Sequence, residues 1–149
     1  MKYNSEILYS NISRLKNTYS FLEIFSIGKS VLEKDIHCIK VGNGSKEVFY
    51  SGSIHANEWI VTPVLMKFTE DFCRAYVGGS NIFGYSAKEI FNTCTIYIVP
   101  MCNPDGVDLV TGLIEPNSYI YEGAKQIAEK YPNVPFPLGW KANIERSGS

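Results

Sequence analysis

Residues 93–101, TCTIYIVPM, form a nearly continuous apolar run bounded by polar residues. The run falls far short of the roughly 20 residues that a membrane span requires, and it reads as a strand buried on both faces. A chain with such a strand has to lay a sheet inside a core. This one has the material for it: 149 residues, 45% of them hydrophobic, the size of one domain.

The remaining pattern supplies the partners. Residues 5–18, SEILYSNISRLKNT, place Ile7, Leu8, Ile12 and Leu15 on one stripe with Ser5 as N-cap, which predicts a first helix. FLEIFSIGKS (21–30), DIHCIKVG (35–42) and EVFYSGSIH (47–55) are β-rich and predict three strands in a row. From Asn57 the spacing turns helical: Ile60, Val64, Phe68 and Phe72, with Leu65 and Thr69, recur through residues 58–76, and Pro63 is tolerable near a first turn. A strand therefore hands over to a helix at His55 to Glu58. GGSNIFG (78–84) reads as a loop, SAKEIFN (86–92) as a short helical turn, and CNPDG (102–106) as a turn closing the buried strand. In that turn Pro104 would fix φ, Asn103 and Asp105 would bond their own backbone, and Gly106 would take a positive φ. A last helix is expected in NSYIYEGAKQIAEKY (117–131), stopped by Pro132, with a proline-rich connector after it. Strands alternating with helices after an initial strand pair predict an α/β fold, a mixed sheet with flanking helices.

Charge removes several function classes. Fourteen Lys and Arg against 15 Asp and Glu leave a net charge of -1, interspersed and without a basic block, so nucleic acid is not an expected partner. No membrane association is expected either. The four cysteines, Cys38, Cys73, Cys94 and Cys102, have neither CxxC spacing nor the density of a secreted disulfide scaffold. They predict reduced thiols in a cytoplasm, packed as small hydrophobes rather than used as nucleophiles.

The chemistry lies at the strand-to-helix junction, in YSGSIHANEW (50–59). Imidazole and carboxylate are both good zinc ligands, and catalytic zinc sites commonly combine two His, one Glu and a water. His55 and Glu58 supply one of each, at a junction where both side chains can converge above the sheet on rigid backbone. The competing reading is a surface histidine beside a helix-start glutamate that complements the helix dipole.

The order SGSIHANEWIVTPVLMKF, then YIVPMCNPDGVDLV, then WKANI resembles the zinc carboxypeptidase family across residues 20–145. FPLGWKANI points, within that family, toward the bacterial γ-D-glutamyl-diamino acid peptidases that cut cell-wall peptides. The resemblance implies a zinc cofactor, a peptide substrate and two metal ligands, His55 and Glu58. It places Lys141 where the family carries an arginine that polarises the scissile carbonyl, and Lys lacks the planar fork of Arg. It assigns no catalytic role to Asp105 or to any other residue here.

The family's third zinc ligand, a histidine, and its catalytic glutamate lie further along than residue 149, and the other histidine here, His37, sits in a strand the family does not use for metal. The expectation is one partial domain, 1–149, corresponding to the front half of the family fold, with zinc held weakly or not at all and little peptidase activity of its own. The strand before HxxE is expected to present an open edge and to drive self-association through Val48 to Ile54. Two other readings stand beside this one. The chain is a noncatalytic binding or assembly module, or it is a zinc amidohydrolase of the aspartoacylase type, against which the NPDG turn and WKANI argue.

Overall fold

The computed structural model describes residues 2–144, so the closing ERSGS segment lies outside the described residues. The first helix, α1 (Ser5–Thr18), buries Leu8, Ile12 and Leu15 as expected, but its N-cap is Asn4, whose side chain accepts from the Ile7 N–H. Ser5 is displaced from that role because it is buried and donates both its N–H and its hydroxyl to Asp108.

Strands β1 (Glu23–Lys29), β2 (Asp35–Gly42) and β3 (Lys46–Ser51) follow in sequence. They do not all pair as neighbours. The apolar run forms β6 (Cys94–Val99), which inserts between β2 and β3 to give the order β1-β2-β6-β3. β1 and β2 are antiparallel, β2 and β6 are antiparallel, and β3 runs parallel to β6, with Tyr50 opposite Ile98 and Ile98 opposite Ile39. The sheet is therefore mixed, and its most apolar strand is interior, with Ile96, Ile98 and Val99 buried. Among the described residues β3 is an edge strand.

Past β3 the chain makes a 3-10 turn at Ala56–Glu58 and then α2 (Val61–Gly78), with Pro63 in the first helical turn. The strand ends at Ser51, earlier than the sequence pattern suggests, because Ser53 adopts φ 51, which is not an extended conformation. The apolar period of α2 is helical, and of the expected stripe Thr69 and Phe72 are buried and Leu65 and Phe68 pack against the core, but its other end is turned outward. Thr62, Met66, Thr69, Phe72, Cys73 and Ala75 are buried, whereas Ile60 and Val64 are 57% and 62% exposed. Two threonines enter the core because their hydroxyls are satisfied there: Thr62 donates to Pro100 O at 2.8 Å and Thr69 to Leu65 O at 2.8 Å.

The GGSNIFG loop supplies the first strand and the turn of a small hairpin, β4 (Asn81–Ile82) with β5 (Tyr85–Ser86), and Ser86 then caps α3 (Ala87–Thr93). The CNPDG turn is in fact the start of a helix, α4 (Pro104–Thr111), and Gly106 is not among the positive-φ glycines. Pro104 at the first helical position and Asn103 as the cap make a standard helix start that the turn reading passed over. The last helix, α5 (Tyr119–Ala128), is capped by Ser118 and is shorter than the periodic stretch.

The larger apolar cluster lies between the sheet, α1 and α2; a second one gathers Ala56, Leu109, Val110, Ala124, Trp140 and Ile144. A buried polar network ties α4 to the other end of the chain. Asp105 accepts from Ser30 Oγ and from the Leu32 N–H, Asp108 accepts from Ser5, and Lys34 Nζ bridges the two carboxylates at 3.4 and 2.6 Å.

All four cysteines are free thiols, and burial pushes the Cys73 thiol up to about 12. His37 packs edge-on against the Tyr9 ring, and burial holds its imidazole below the ordinary value. No helix among the described residues is long and apolar enough to cross a membrane.

Candidate metal centre

The pairing of β3 with β6 continues past the end of either strand. Gly52 donates to Val99 O, Cys102 to Gly52 O and Asn103 to Ser53 O, at 2.9, 2.9 and 3.1 Å. The two chains then part at the same height, one into the Ala56–Glu58 turn and the other into α4. The crevice outside the carboxyl ends of parallel strands is where open α/β sheets place their ligands.

His55 and Glu58 stand at this point. His55 has extended backbone (φ -85, ψ 134), and its carbonyl accepts from the Glu58 N–H at 3.1 Å, which closes the turn. That closure brings the two side chains to the same side, with Nδ1 and Oε1 3.0 Å apart and both side chains about half exposed. Beneath them Ser53 locks the turn: its hydroxyl donates to Glu58 O at 3.2 Å and meets Thr62 Oγ1 at 2.7 Å.

The donor pair fits a zinc ion as far as it goes. Zinc–nitrogen and zinc–oxygen bonds of about 2.0–2.2 Å at a tetrahedral angle set two donors about 3.3 Å apart. The 3.0 Å separation is close to that spacing, so the pair can fill two corners of a tetrahedral site. It is also an ordinary hydrogen-bond distance, which the surface-pair reading requires. Among the described residues His, Cys, Asp and Glu nowhere form a group of three that could hold a metal ion.

Lys141 comes to the same place through its backbone. Its carbonyl accepts from the Ala56 N–H at 3.1 Å, while its side chain is exposed. The segment is anchored by Trp140, which is 8% exposed and donates from Nε1 to Ala142 O at 2.7 Å. The residue missed from sequence is Asn103. The sequence presents it as part of a turn, yet its carboxamide faces both the Ile54 and the Ala142 carbonyls. The signal available was the Asn-Pro pair ahead of the apolar VDLV, which marks a helix start. The Asp105 carboxylate is engaged with the β1–β2 turn and does not serve the His55 pair.

The zinc carboxypeptidase family model matches residues 8–133. Over 142 residues the chain is 41% identical to gamma-D-glutamyl-L-diamino acid endopeptidase 1 of Lysinibacillus sphaericus, covering 95% of this chain and 35% of that protein. Over 144 residues it is 35% identical to an uncharacterized protein of Bacillus subtilis, covering 95% and 38%. The chain thus spans little more than a third of the length of these relatives.

Among solved structures, bovine thrombin-activatable fibrinolysis inhibitor in complex with tick carboxypeptidase inhibitor superposes with TM-score 0.67 at 18% identity, over 100% of this chain and 40% of that one. A metallo-carboxypeptidase from Pseudomonas aeruginosa superposes with TM-score 0.57 at 18% identity, over 86% and 37%. At these identities the likeness is one of fold, and it shows the carboxypeptidase arrangement of a mixed sheet with helices. The family match over residues 8–133 shows that this chain belongs to the zinc carboxypeptidase family.

Proposed function

We propose that this chain carries the first two metal ligands of a zinc peptidase that acts on short peptides of cell-wall type. The observation that carries the reading is the approach of His55 Nδ1 to Glu58 Oε1, 3.0 Å apart, at the carboxyl end of the β3–β6 pair. The 41% identity to an endopeptidase named for γ-D-glutamyl-L-diamino acid links supports the substrate class. Zinc bound there supplies Lewis acidity toward a peptide carbonyl and makes a bound water more acidic. His55 and Glu58 would hold the ion, and Lys141 would offer positive charge to a carbonyl oxygen as a point charge rather than as a bidentate fork. No general base is assigned among residues 1–149, so little hydrolysis is expected from this chain by itself.

Titration calorimetry with zinc on wild type and His55→Ala tests the metal reading. Weak but saturable binding that falls by about tenfold or more in the variant is the expected result, because only two ligands are present and removal of one costs at least what removal of a supporting residue does. Heat that does not saturate in wild type would remove the metal from the account and favour the surface-pair reading.

A second reading, self-association, has its own observation. β3 is parallel to β6 yet has no strand on its other side among the described residues, and Phe49, Tyr50 and Ile54 are 61%, 45% and 57% exposed. Parallel strands are ordinarily covered on both sides, and an open edge recruits partners. A second copy pairing through Val48 to Ile54 is the occupant expected here. Light scattering across a concentration series should show a dimer growing in, and a monodisperse monomer at the highest concentration would exclude it.

A further inference from the structure

Asn103 is 4% exposed, and its carboxamide uses its acceptor and both donor hydrogens. Oδ1 accepts from the Gly106 N–H at 2.9 Å, which caps α4. Nδ2 donates to Ala142 O at 3.0 Å and, less closely, to Ile54 O at 3.4 Å. The orientation of the amide is unambiguous chemically, since one side faces an N–H and the other faces two carbonyls. One side chain therefore joins α4, the residue before His55 and the residue after Lys141. The Ala56–Lys141 backbone bond at 3.1 Å lies between these contacts, and Ala142 O is shared with the Trp140 indole.

Capping alone does not explain an asparagine here. Asp and Ser cap helices about as well, because the cap requires only an oxygen. What demands the amide is the pair of donors aimed at the Ile54 and Ala142 carbonyls, one in each of two other segments. We infer that Asn103 is a positioning residue, which holds the His55–Glu58 turn against the 140–144 segment and so sets where Lys141 stands relative to the metal pair. The inference rests on the zinc reading above for its functional meaning, while the clamp itself is a separate physical claim.

Asn103→Asp separates the two roles. It keeps the capping oxygen and replaces both donors with an acceptor facing the Ile54 and Ala142 carbonyls. Asn103→Ser, which also caps but places no charge there, serves if the aspartate variant does not fold. Amide hydrogen exchange on the 149-residue chain reads the clamp without metal. The Ala56 N–H, bonded to Lys141 O, should exchange at least about tenfold faster in either variant, whereas the Val107 N–H, bonded to the Asn103 carbonyl at 3.0 Å, should keep its protection.

Zinc calorimetry on the same proteins reads the function, with affinity expected to fall by about tenfold, the lower end for loss of a residue that supports a metal ligand. Unchanged Ala56 protection in both variants, or zinc binding equal to a zinc-binding wild type, overturns the inference. Faster Ala56 exchange together with a wild type that binds no zinc supports the clamp and sinks the metal reading instead.

Discussion

Gly106→Ala should destabilise the protein by about 2 kcal/mol, although alanine is the better helix former by about 1 kcal/mol. Backbone conformation is not what requires the glycine, since Gly106 lies inside α4 without a positive φ. Space is the reason. A Cβ at this position would lie 2.6 Å from Asn103 Nδ2 and 2.7 Å from Ala56 Cβ. The carboxamide cannot rotate away without giving up its contacts to Gly106, Ile54 and Ala142, and Ala56 is fully buried in the turn that carries His55 and Glu58. The strain of overpacking, about 3 kcal/mol at the upper end, therefore outweighs the propensity gain. Urea unfolding compares the two directly. A variant more stable than wild type would mean that propensity wins and that α4 does not press on the turn as closely as the geometry states. Because the displaced atoms belong to the turn that carries His55 and Glu58, the proposed metal site predicts that the same substitution also weakens zinc binding.

Asp108→Ala should cost about 3 kcal/mol or more, the largest expected effect of any single truncation outside the apolar core. The Asp108 side chain is fully buried, and it accepts from the Ser5 N–H at 2.8 Å, from the Ser5 hydroxyl and from Lys34 Nζ at 2.6 Å. Removing it leaves two donors at the start of α1 without an acceptor in a place water does not reach, each worth about 1–3 kcal/mol. The lysine contributes less than a fully buried charge would, because it is 24% exposed and keeps Asp105 at 3.4 Å. Asp108→Asn retains the shape and one acceptor while losing the charge, so it should fall between wild type and the alanine variant. Equilibrium urea unfolding of all three decides the order. A loss under about 1 kcal/mol for the alanine variant would show that α1 does not depend on this anchor.

Both predictions concern residues that the sequence presents as part of a turn or an apolar run. NPDG followed by VDLV contains two aspartates whose partners are 73 and 103 positions away, on the β1–β2 turn and at the start of α1. No local pattern encodes such a pairing. The α2 face is a subtler case. The helical spacing runs through residues 58–76 and its Thr69 and Phe72 are buried, yet Thr62 also turns inward while Ile60 and Val64 turn outward. Hydrophobicity alone ranks these residues the other way. The threonines are accommodated because Pro100 O and Leu65 O accept their hydroxyl protons, and the first of those acceptors lies just past β6, 38 residues from Thr62.

The site divides along the same line. His55 and Glu58 were legible because a turn of three residues brings positions i and i+3 together whatever surrounds it, and their family context lies in a motif read along the chain. Lys141 was legible only through resemblance, and the structure brings it to the turn by a backbone bond spanning 85 residues, from Ala56 to Lys141. Asn103 was legible as a cap and not as a clamp, since its two carbonyl partners are 39 and 49 residues away.

The sequence by itself therefore determined most of the helices and strands, the interior place of the apolar run and the mixed α/β class, and it put His55 and Glu58 side by side, all of which depend on neighbours within a few residues. The tertiary structure alone decided that β6 separates β2 from β3, which face of α2 is buried, and that Asn103, Asp105 and Asp108 bind distant segments together. Those outcomes depend on which buried polar group finds a partner, and the partner is supplied by packing rather than by proximity along the chain.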